Sequence, residues 1–313
     1  MSGAKRLALA GLAAAYGWAG AGLEGPVTGY VFDARQGMIR AIEGLPGGAR
    51  LGMGLAVGER LRGCAVESVG RRAVCGTEAG GWLWVDWAGE TVRTRELAGL
   101  TGAAERAAWS ADGAWAVVHL EAVGEGGRRL RWVREGEVTG MVETGPGWRL
   151  LAAGPDGGRA LVTNGPELWR VDAEGVWEWV ARGMEIGAAA VAEDGGLYYA
   201  DRGAKEMWKV ASGGPGAAAV RVLREADGVE GPVALGACRT EEGEQVVLVD
   251  GAGARLAIVR ADGRGTETVG LWARPSGMAP LHREGWYLLN EPGQGPLLLL
   301  NCAGRAVSFV PVD

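Results

Sequence analysis

The chain has 313 residues, a formal net charge of −6, 57 glycines and 14 tryptophans, and 48% of its residues are hydrophobic. An acidic chain without a cluster of lysines and arginines matches nucleic acid poorly, because binding to phosphates requires such clusters. The apolar content is too high for a disordered chain. Composition therefore predicts a folded protein for which nucleic acid is not a partner.

The N-terminus has the pattern of an export signal. Basic residues at 5 and 6 precede an uncharged apolar run over residues 7–18, and Ala19-Gly20-Ala21 offers the small residues that a signal peptidase requires. The run is short and rich in glycine and alanine, which disfavours a membrane span. We expect a signal peptide at residues 1–21 and a single mature domain at residues 22–313. The expected location is periplasmic or extracellular, without membrane insertion after cleavage.

The next element is a hairpin. Tyr30-Val31-Phe32-Asp33 and residues 38–42 read as strands on either side of a turn near Gly37. This hairpin matches the second hairpin of a repeat that fills the rest of the chain, and the first hairpin that should precede it is missing. Residues 44–60 contain a proline and several glycines and are expected to form a loop.

The repeat begins near residue 61 and contains two hairpins. In the first, or inner, hairpin, a strand leads to an acidic or polar turn that ends in glycine, and a second strand follows. The turn glycines are 43, 44, 38, 48 and 42 residues apart. This spacing fits one four-stranded propeller blade per repeat. The six glycines are Gly70, Gly113, Gly157, Gly195, Gly243 and Gly285.

A second, outer hairpin lies between successive inner hairpins and supports the same period. With residues 30–42 there are seven outer hairpins against six inner ones. No stretch of the mature chain shows a sustained 3.6-residue apolar period. We therefore predict an all-β propeller of four-stranded antiparallel blades, with seven blade positions of which one is incomplete. A six-bladed ring with an added N-terminal hairpin is the alternative. The outer turns contain Gly89, Gly136, Gly175, Gly213, Gly263 and Gly304.

One repeat resembles a known group of proteins. Residues 154–162, with the sequence GPDGGRALV, followed by residues 166–172, with the sequence PELWRVD, resemble the repeat of bacterial extracytoplasmic propellers, the YVTN and Tol-type WD-like families. The resemblance covers the chain from about residue 28 to its end. It implies the propeller fold. It implies no single function, because these families include scaffolds, ligand binders and a minority of enzymes.

The sequence is poor in catalytic motifs. Its histidines are His119 and His282, and it contains neither an H-E-x-x-H nor a C-x-x-C motif. Neither Ser212 nor Ser276 lies in a G-x-S-x-G motif. We expect His119, at the end of an apolar strand, to have a structural role.

The second strand of each inner hairpin ends in a polar residue. In a propeller the loops after these strands lie on the face where the central channel opens, so a ring of carboxylates and amides is expected there. Such oxygens suit Ca²⁺, and propeller lactonases and related hydrolases use a comparable set. The competing interpretation is that each side chain caps its own turn. The residues are Glu78, Glu121, Asn164, Asp201, Asp250 and Asn290.

The four cysteines fall into two groups. Cys64 and Cys75 are symmetric about the first inner turn, where cross-strand neighbours approach closely enough for a disulfide. Export would favour the disulfide, and the sequence leaves it open against two free thiols. Cys238 and Cys302 fall in different blades and are expected to be buried free thiols.

Tryptophan is densest at Trp82, Trp84 and Trp87, which makes this strand a candidate surface patch. Alternation places Trp82 and Trp84 on one side of the strand and Trp87 on the other, so at least one side should lie in the core.

These observations predict an exported, monomeric propeller that binds a protein or a small molecule, or acts as a scaffold, without being an enzyme and without a resident cofactor. The alternative is a hydrolase or lactonase-like enzyme that uses a divalent cation, Ca²⁺ among the candidates, at the channel mouth. An enzyme of this kind requires three or more carboxylates that converge on one cavity. A binding protein predicts an exposed aromatic patch instead.

Overall fold

The computed structural model describes residues 26–312, apart from 68, 90, 122–126, 193, 213–215, 225, 226, 228, 262–264, 282–284 and 294. The expected signal peptide at residues 1–21 and His282 lie outside the described residues. Those residues contain 27 β-strands, which pair into seven antiparallel sheets in chain order. No helix in this part of the chain is long and apolar enough to cross a membrane.

The sheets are the blades of a seven-bladed β-propeller. Blade one consists of β1 (Val27–Asp33), β2 (Met38–Glu43) and β3 (Arg50–Gly54). Blade two consists of β4 (Leu61–Glu67), β5 (Arg72–Thr77), β6 (Trp82–Ala88) and β7 (Thr91–Glu96). Blade three consists of β8 (Ala104–Trp109), β9 (Trp115–Leu120), β10 (Arg128–Arg134) and β11 (Glu137–Thr144). Blade four consists of β12 (Arg149–Ala153), β13 (Arg159–Thr163), β14 (Glu167–Asp172) and β15 (Trp177–Arg182).

The remaining three blades are also four-stranded. Blade five consists of β16 (Ile186–Val191), β17 (Leu197–Asp201), β18 (Glu206–Val210) and β19 (Ala219–Leu223). Blade six consists of β20 (Pro232–Thr240), β21 (Gly243–Asp250), β22 (Arg255–Arg260) and β23 (Thr266–Gly270). Blade seven consists of β24 (Ala279–Pro280), β25 (Trp286–Leu288), β26 (Leu297–Asn301) and β27 (Ala306–Val310).

The strands of each complete blade pair in sequence order. The first strands of blades two to six contact one another from blade to blade, which places them around the central channel. We call them inner strands. The prediction of seven blade positions with one incomplete is thus confirmed, and the six-bladed alternative is wrong.

Each blade packs its apolar side chains against its neighbours. Trp82 and Trp84 lie in the core between blades two and three, and Trp87 lies in the core between blades one and two. All three are at most 4% exposed. Alternation therefore separates them as predicted, but both sides of the strand are core and the group is not a surface patch.

Most inner turns use their glycine at positive φ, as at Gly113 (65°) and Gly157 (69°). In the first inner turn the positive φ falls one residue later, on Arg71 (54°). Glycine adopts a positive φ without the steric clash of a Cβ atom. This explains why an acidic residue followed by glycine is typical of these turns.

Blade one differs from the sequence-based expectation. Residues 44–60 do not form only a loop, because they contain strand β3. The N–H of Leu61 donates to the carbonyl of Gly37 at 3.0 Å. Leu61 begins β4, and Gly37 follows the end of β1. β1 therefore runs opposite to the inner strand β4 and holds the second position of its blade. Among the described residues, blade one has second, third and fourth strands, so it lacks one strand and not a whole hairpin.

Blades seven and one close the ring by side-chain packing. Val31 and Leu51 of blade one share an apolar core with Leu281 and Leu299 of blade seven. Gly29 approaches closely: a Cβ there would lie 2.6 Å from Leu281 Cδ2. No strand is shared between the two sheets among the described residues.

All four cysteines are paired. Cys64 and Cys75 are register partners on β4 and β5 and form a disulfide with a Cα–Cα distance of 4.1 Å. Cys238 of blade six and Cys302 of blade seven form a second disulfide, with a Cα–Cα distance of 6.6 Å. The expectation of free thiols at these two positions is wrong, because only the packing of neighbouring blades brings them together.

Candidate functional site

The most deeply buried members of the expected polar ring cap their own loops. Asp250 is fully buried, and its carboxylate accepts hydrogen bonds from the backbone N–H groups of Glu230, Gly231 and Gly253 at 2.9 to 3.0 Å. Arg255 Nε donates to the same carboxylate at 3.0 Å. Burial raises the pKa of Asp250, but these hydrogen bonds outweigh burial and hold the pKa below its ordinary value.

Asp201 has the same arrangement in blade five. It is 3% exposed and accepts from the backbone N–H groups of Met184 at 2.7 Å, Glu185 at 3.0 Å and Ala204 at 3.1 Å. Its oxygens thus face the loop that leads into the blade and the turn that follows Asp201.

Asp33 is a further member of this set that the sequence analysis missed. It ends β1, is 2% exposed, and accepts from the backbone N–H groups of Arg35 and Gln36. The Arg40 guanidinium lies 3.0 Å from its other oxygen. The signal in the sequence is weak: all three aspartates end the second strand of a blade, and the residue of positive φ that follows each of them by four positions is Gly37, Lys205 or Ala254.

The asparagines also serve their own loops. Asn290 accepts from the Leu298 N–H at 2.7 Å and donates to the Pro296 carbonyl at 3.0 Å. Asn164 accepts from the Glu167 N–H at 3.1 Å. Both amides therefore close the connection between the second and third strands of their blades.

The two glutamates of the expected ring are exposed. Glu78 pairs with Arg60 at 3.0 Å, and both side chains are 59% exposed. Within the described ranges, no three His, Cys, Asp or Glu side chains come together in a way that could hold a metal ion. The structure therefore gives the buried polar residues a capping role, and Ca²⁺ binding stays a prediction.

His119 is buried beneath the channel mouth in blade three, at 1% exposure. Its Nε2 lies 3.3 Å from Thr144 Oγ1, and its Nδ1 lies 3.1 Å from Glu105 Oε2, without the alignment of a hydrogen bond. Glu105 by itself would favour a charged ring, but it is already paired with Arg128. Burial, followed by the charge of Arg128, lowers the pKa of His119 to about 4.

A neutral, buried histidine makes stability depend on pH. The unfolded chain binds a proton at His119 near pH 6.5, whereas the folded chain does not until about pH 4. Stability is therefore lost as the pH falls below 6.5, by about 2 kcal/mol between pH 7 and pH 5. Urea unfolding at these two pH values measures the loss. His119→Gln should reduce this pH dependence by the stated amount, and an unchanged dependence in the variant would contradict the assignment.

Three arginines lie at the channel ends of neighbouring inner strands. Arg62 of β4 is exposed, and its Nη2 donates to the carbonyl of Gly102, two residues before β8, at 3.3 Å. Arg106 lies on β8 and is also exposed. Arg149 begins β12 and donates through Nη2 to the Ile186 carbonyl at 3.1 Å. The three side chains thus span the starts of the inner strands of blades two to five.

The electrostatics of this group favour an anion. Burial and the positive charge of Arg149 lower the pKa of Arg106, although Arg106 is reached by solvent. Nearby arginines are paired, Arg60 with Glu78 and Arg128 with Glu105, whereas Arg62, Arg106 and Arg149 have no carboxylate partner among the described residues. We call Arg62, Arg106 and Arg149 the arginine cluster.

A second surface lies where blades seven and one meet. A groove of about 320 Å³ is lined by Arg35, Pro296, Phe309, Pro311 and Val312, together with two glycines. Phe309 is 53% exposed and makes an edge contact with Trp272, itself 57% exposed, with ring centroids 5.6 Å apart. This is the kind of exposed aromatic surface that a binding protein is expected to carry.

No protein-family model matches the chain, and no curated protein matches it. Solved structures do share its fold. A functionally unknown protein from Desulfotomaculum acetoxidans is 12% identical, with a TM-score of 0.63, and the match covers 92% of this chain and all of that one. Virginiamycin B lyase from Staphylococcus aureus is 12% identical, with a TM-score of 0.57, over 80% of this chain and 83% of the lyase.

A third similar structure is the dihydro-heme d1 dehydrogenase NirN, which is 13% identical, with a TM-score of 0.56, over 92% of this chain and 62% of that one. At such identities the likeness establishes the propeller fold alone. The YVTN or Tol-type subfamily suggested by the repeat is not established by these matches.

Proposed function

We propose that this protein is an exported, non-enzymatic binding propeller that takes an anionic ligand, a carboxylate or phosphate compound, at the channel mouth. The observation that carries the proposal is the arginine cluster, which presents three guanidiniums without carboxylate partners among the described residues. Arginine binds such anions well because its planar fork can donate two parallel hydrogen bonds.

The net charge of the whole protein makes an anion site at these arginines more specific. The chain carries a net charge of −6, so a general attraction of anions to its surface is not expected. A local cluster of arginines in an acidic protein favours an anionic ligand at this one place on the surface. The buried members of the expected ring, Asp201 and Asp250, cap their own loops, which does not favour a cation-dependent hydrolase at this place.

Export is supported by two features. The N-terminal sequence has the pattern of a signal peptide, and both cysteine pairs form disulfides, which persist in oxidising compartments. The exposed aromatic groove at the junction of blades seven and one is consistent with a binding protein as well.

Calorimetry with the folded protein tests the ligand class. Citrate, inorganic phosphate and an uncharged sugar are titrated at fixed ionic strength. We expect citrate or phosphate to bind and to raise the melting temperature, because a ligand that binds only the native state stabilises it. The sugar should have no effect.

Variants locate the site. Arg106→Gln should weaken anion binding at least about tenfold, the amount expected when one charged hydrogen-bonding group is lost. The matched control is Arg93→Gln, at an exposed arginine on the outer strand β7. Equal affinity in Arg106→Gln and the unmodified protein, or no binding of either anion, would overturn the proposal.

A further inference from the structure

His119 lies one strand behind the arginine cluster, on the side of blade three that faces blade four. It is the register partner of Arg106, so the two side chains project to the same side of the sheet. Ala108 and Val117, each two residues away along the same strands, lie in the core between blades three and four. Alternation therefore directs Arg106 and the buried His119 ring to that side as well.

Each strand packed against His119 brings a polar or charged group to its ring. On β8, Glu105 Oε2 lies 3.1 Å from His119 Nδ1. On β10, Arg128 Nη2 pairs with the other oxygen of Glu105 at 2.5 Å. On β11, Thr144 Oγ1 lies 3.3 Å from His119 Nε2. Beyond the end of its own strand, Glu121 is exposed. The ring thus contacts a carboxylate that is already paired.

Positive charge also comes from blade four. Arg149 begins β12, and burial, followed by the charge of Arg149, lowers the pKa of Arg106. Arg128 extends toward the same place, since its Nη1 donates to the carbonyl of Trp148 at 3.2 Å. Among the described residues, three guanidiniums thus face two carboxylates around His119. Burial, followed by the charge of Arg128, keeps the His119 ring neutral near pH 7 by lowering its pKa to about 4.

We propose that His119 takes up a proton when an anion binds to the arginine cluster, so that the affinity for the anion rises as the pH falls from 7 to 5. This inference rests on the proposed function, because it concerns the regulation of the same site. An anion held by Arg106 and Arg149 offsets the positive charge that opposes a charged ring. By linkage, a proton on His119 favours the anion by the same factor.

The composition of the chain makes this proposal easy to isolate. The chain contains two histidines, His119 and His282. Histidine is the side chain whose ordinary pKa falls between pH 5 and pH 8. His282→Gln is therefore the matched control, and it also leaves His119 as the single histidine of the protein.

Calorimetry with sulfate at pH 7 and pH 5, at fixed ionic strength, tests the proposal. Sulfate keeps its double negative charge over this range, whereas phosphate and citrate change theirs. Couplings between two sites are typically about 5- to 150-fold, and the ring is only partly protonated at pH 5, so we expect sulfate to bind about threefold more tightly at pH 5. The control His282→Gln should behave in the same way, and His119→Gln should lose most of the difference.

NMR of the His119 ring in the His282→Gln protein keeps the test decisive if His119→Gln does not fold. Sulfate should raise the pH midpoint of the ring titration, because the bound anion favours the charged ring. An unshifted midpoint would overturn the proposal.

The outcomes also separate this proposal from the proposed function. Equal sulfate affinity at the two pH values, or the same pH dependence in His119→Gln, would overturn the role of His119 and leave the anion site standing. No binding of sulfate at either pH would overturn this inference, and absence of citrate and phosphate binding as well would overturn the proposed function.

Discussion

Asp250→Ala should lower the free energy of unfolding by about 4 kcal/mol, because it leaves three backbone N–H groups, that of Gly231 buried, and the Arg255 guanidinium without their acceptor. Denaturant unfolding measures the change. The hydrogen bonds also hold the pKa of Asp250 below its ordinary value, so their contribution is present above about pH 4 and is lost as the pH falls further.

Asp172→Ala is the matched control for this prediction. Asp172 also caps a turn, but it accepts one backbone hydrogen bond, from Val176 at 2.8 Å, in an exposed setting. Its removal should cost about 1 kcal/mol. Addition of Ca²⁺ or of a chelator should leave the stability of the unmodified protein unchanged if Asp250 is a cap. A Ca²⁺-dependent rise that disappears in Asp250→Ala would show that the carboxylate holds a cation instead.

The double variant Cys238→Ser/Cys302→Ser should lower the free energy of unfolding by about 4 kcal/mol, because this disulfide closes a loop of 64 residues in the unfolded chain. It also ties blade six to blade seven, beside the junction where the ring closes without a shared strand. Unfolding in denaturant under oxidising conditions measures the effect.

Removal of the other disulfide provides the comparison. Cys64 and Cys75 are 11 residues apart within one hairpin, so Cys64→Ser/Cys75→Ser should cost less, about 3 kcal/mol, in the chain-entropy model. A larger loss for the pair within the hairpin than for the pair between blades would contradict this ranking.

The polar ring illustrates what the sequence could and could not predict. The repeat correctly placed polar residues at the ends of the second strands, and it offered two interpretations, a ligand ring and turn caps. The correct interpretation depends on which groups the carboxylate oxygens contact. Asp201 and Asp250 point into loops that lie 16 to 20 residues earlier in the chain, and no local pattern reveals such contacts.

The arginine cluster could not be predicted for a related reason. Arg62, Arg106 and Arg149 are about 43 residues apart, at the period of the repeat, but in a sequence with 32 basic residues they do not stand out. They form a group only because the starts of neighbouring inner strands meet at the channel. Trp272 and Phe309, of blades six and seven, likewise form an exposed pair only after the blades have packed.

The sequence by itself determined the all-β class and the blade period, since turn chemistry and strand alternation are local and recur from blade to blade. The tertiary structure alone decided for seven blades over six, the strand of blade one that is absent from the described sheets, the pairing of Cys238 with Cys302, and the position of three arginines at the starts of neighbouring inner strands. Each of these depends on contacts between blades. Such contacts join residues far apart in the chain, and local patterns carry no information about which of them meet.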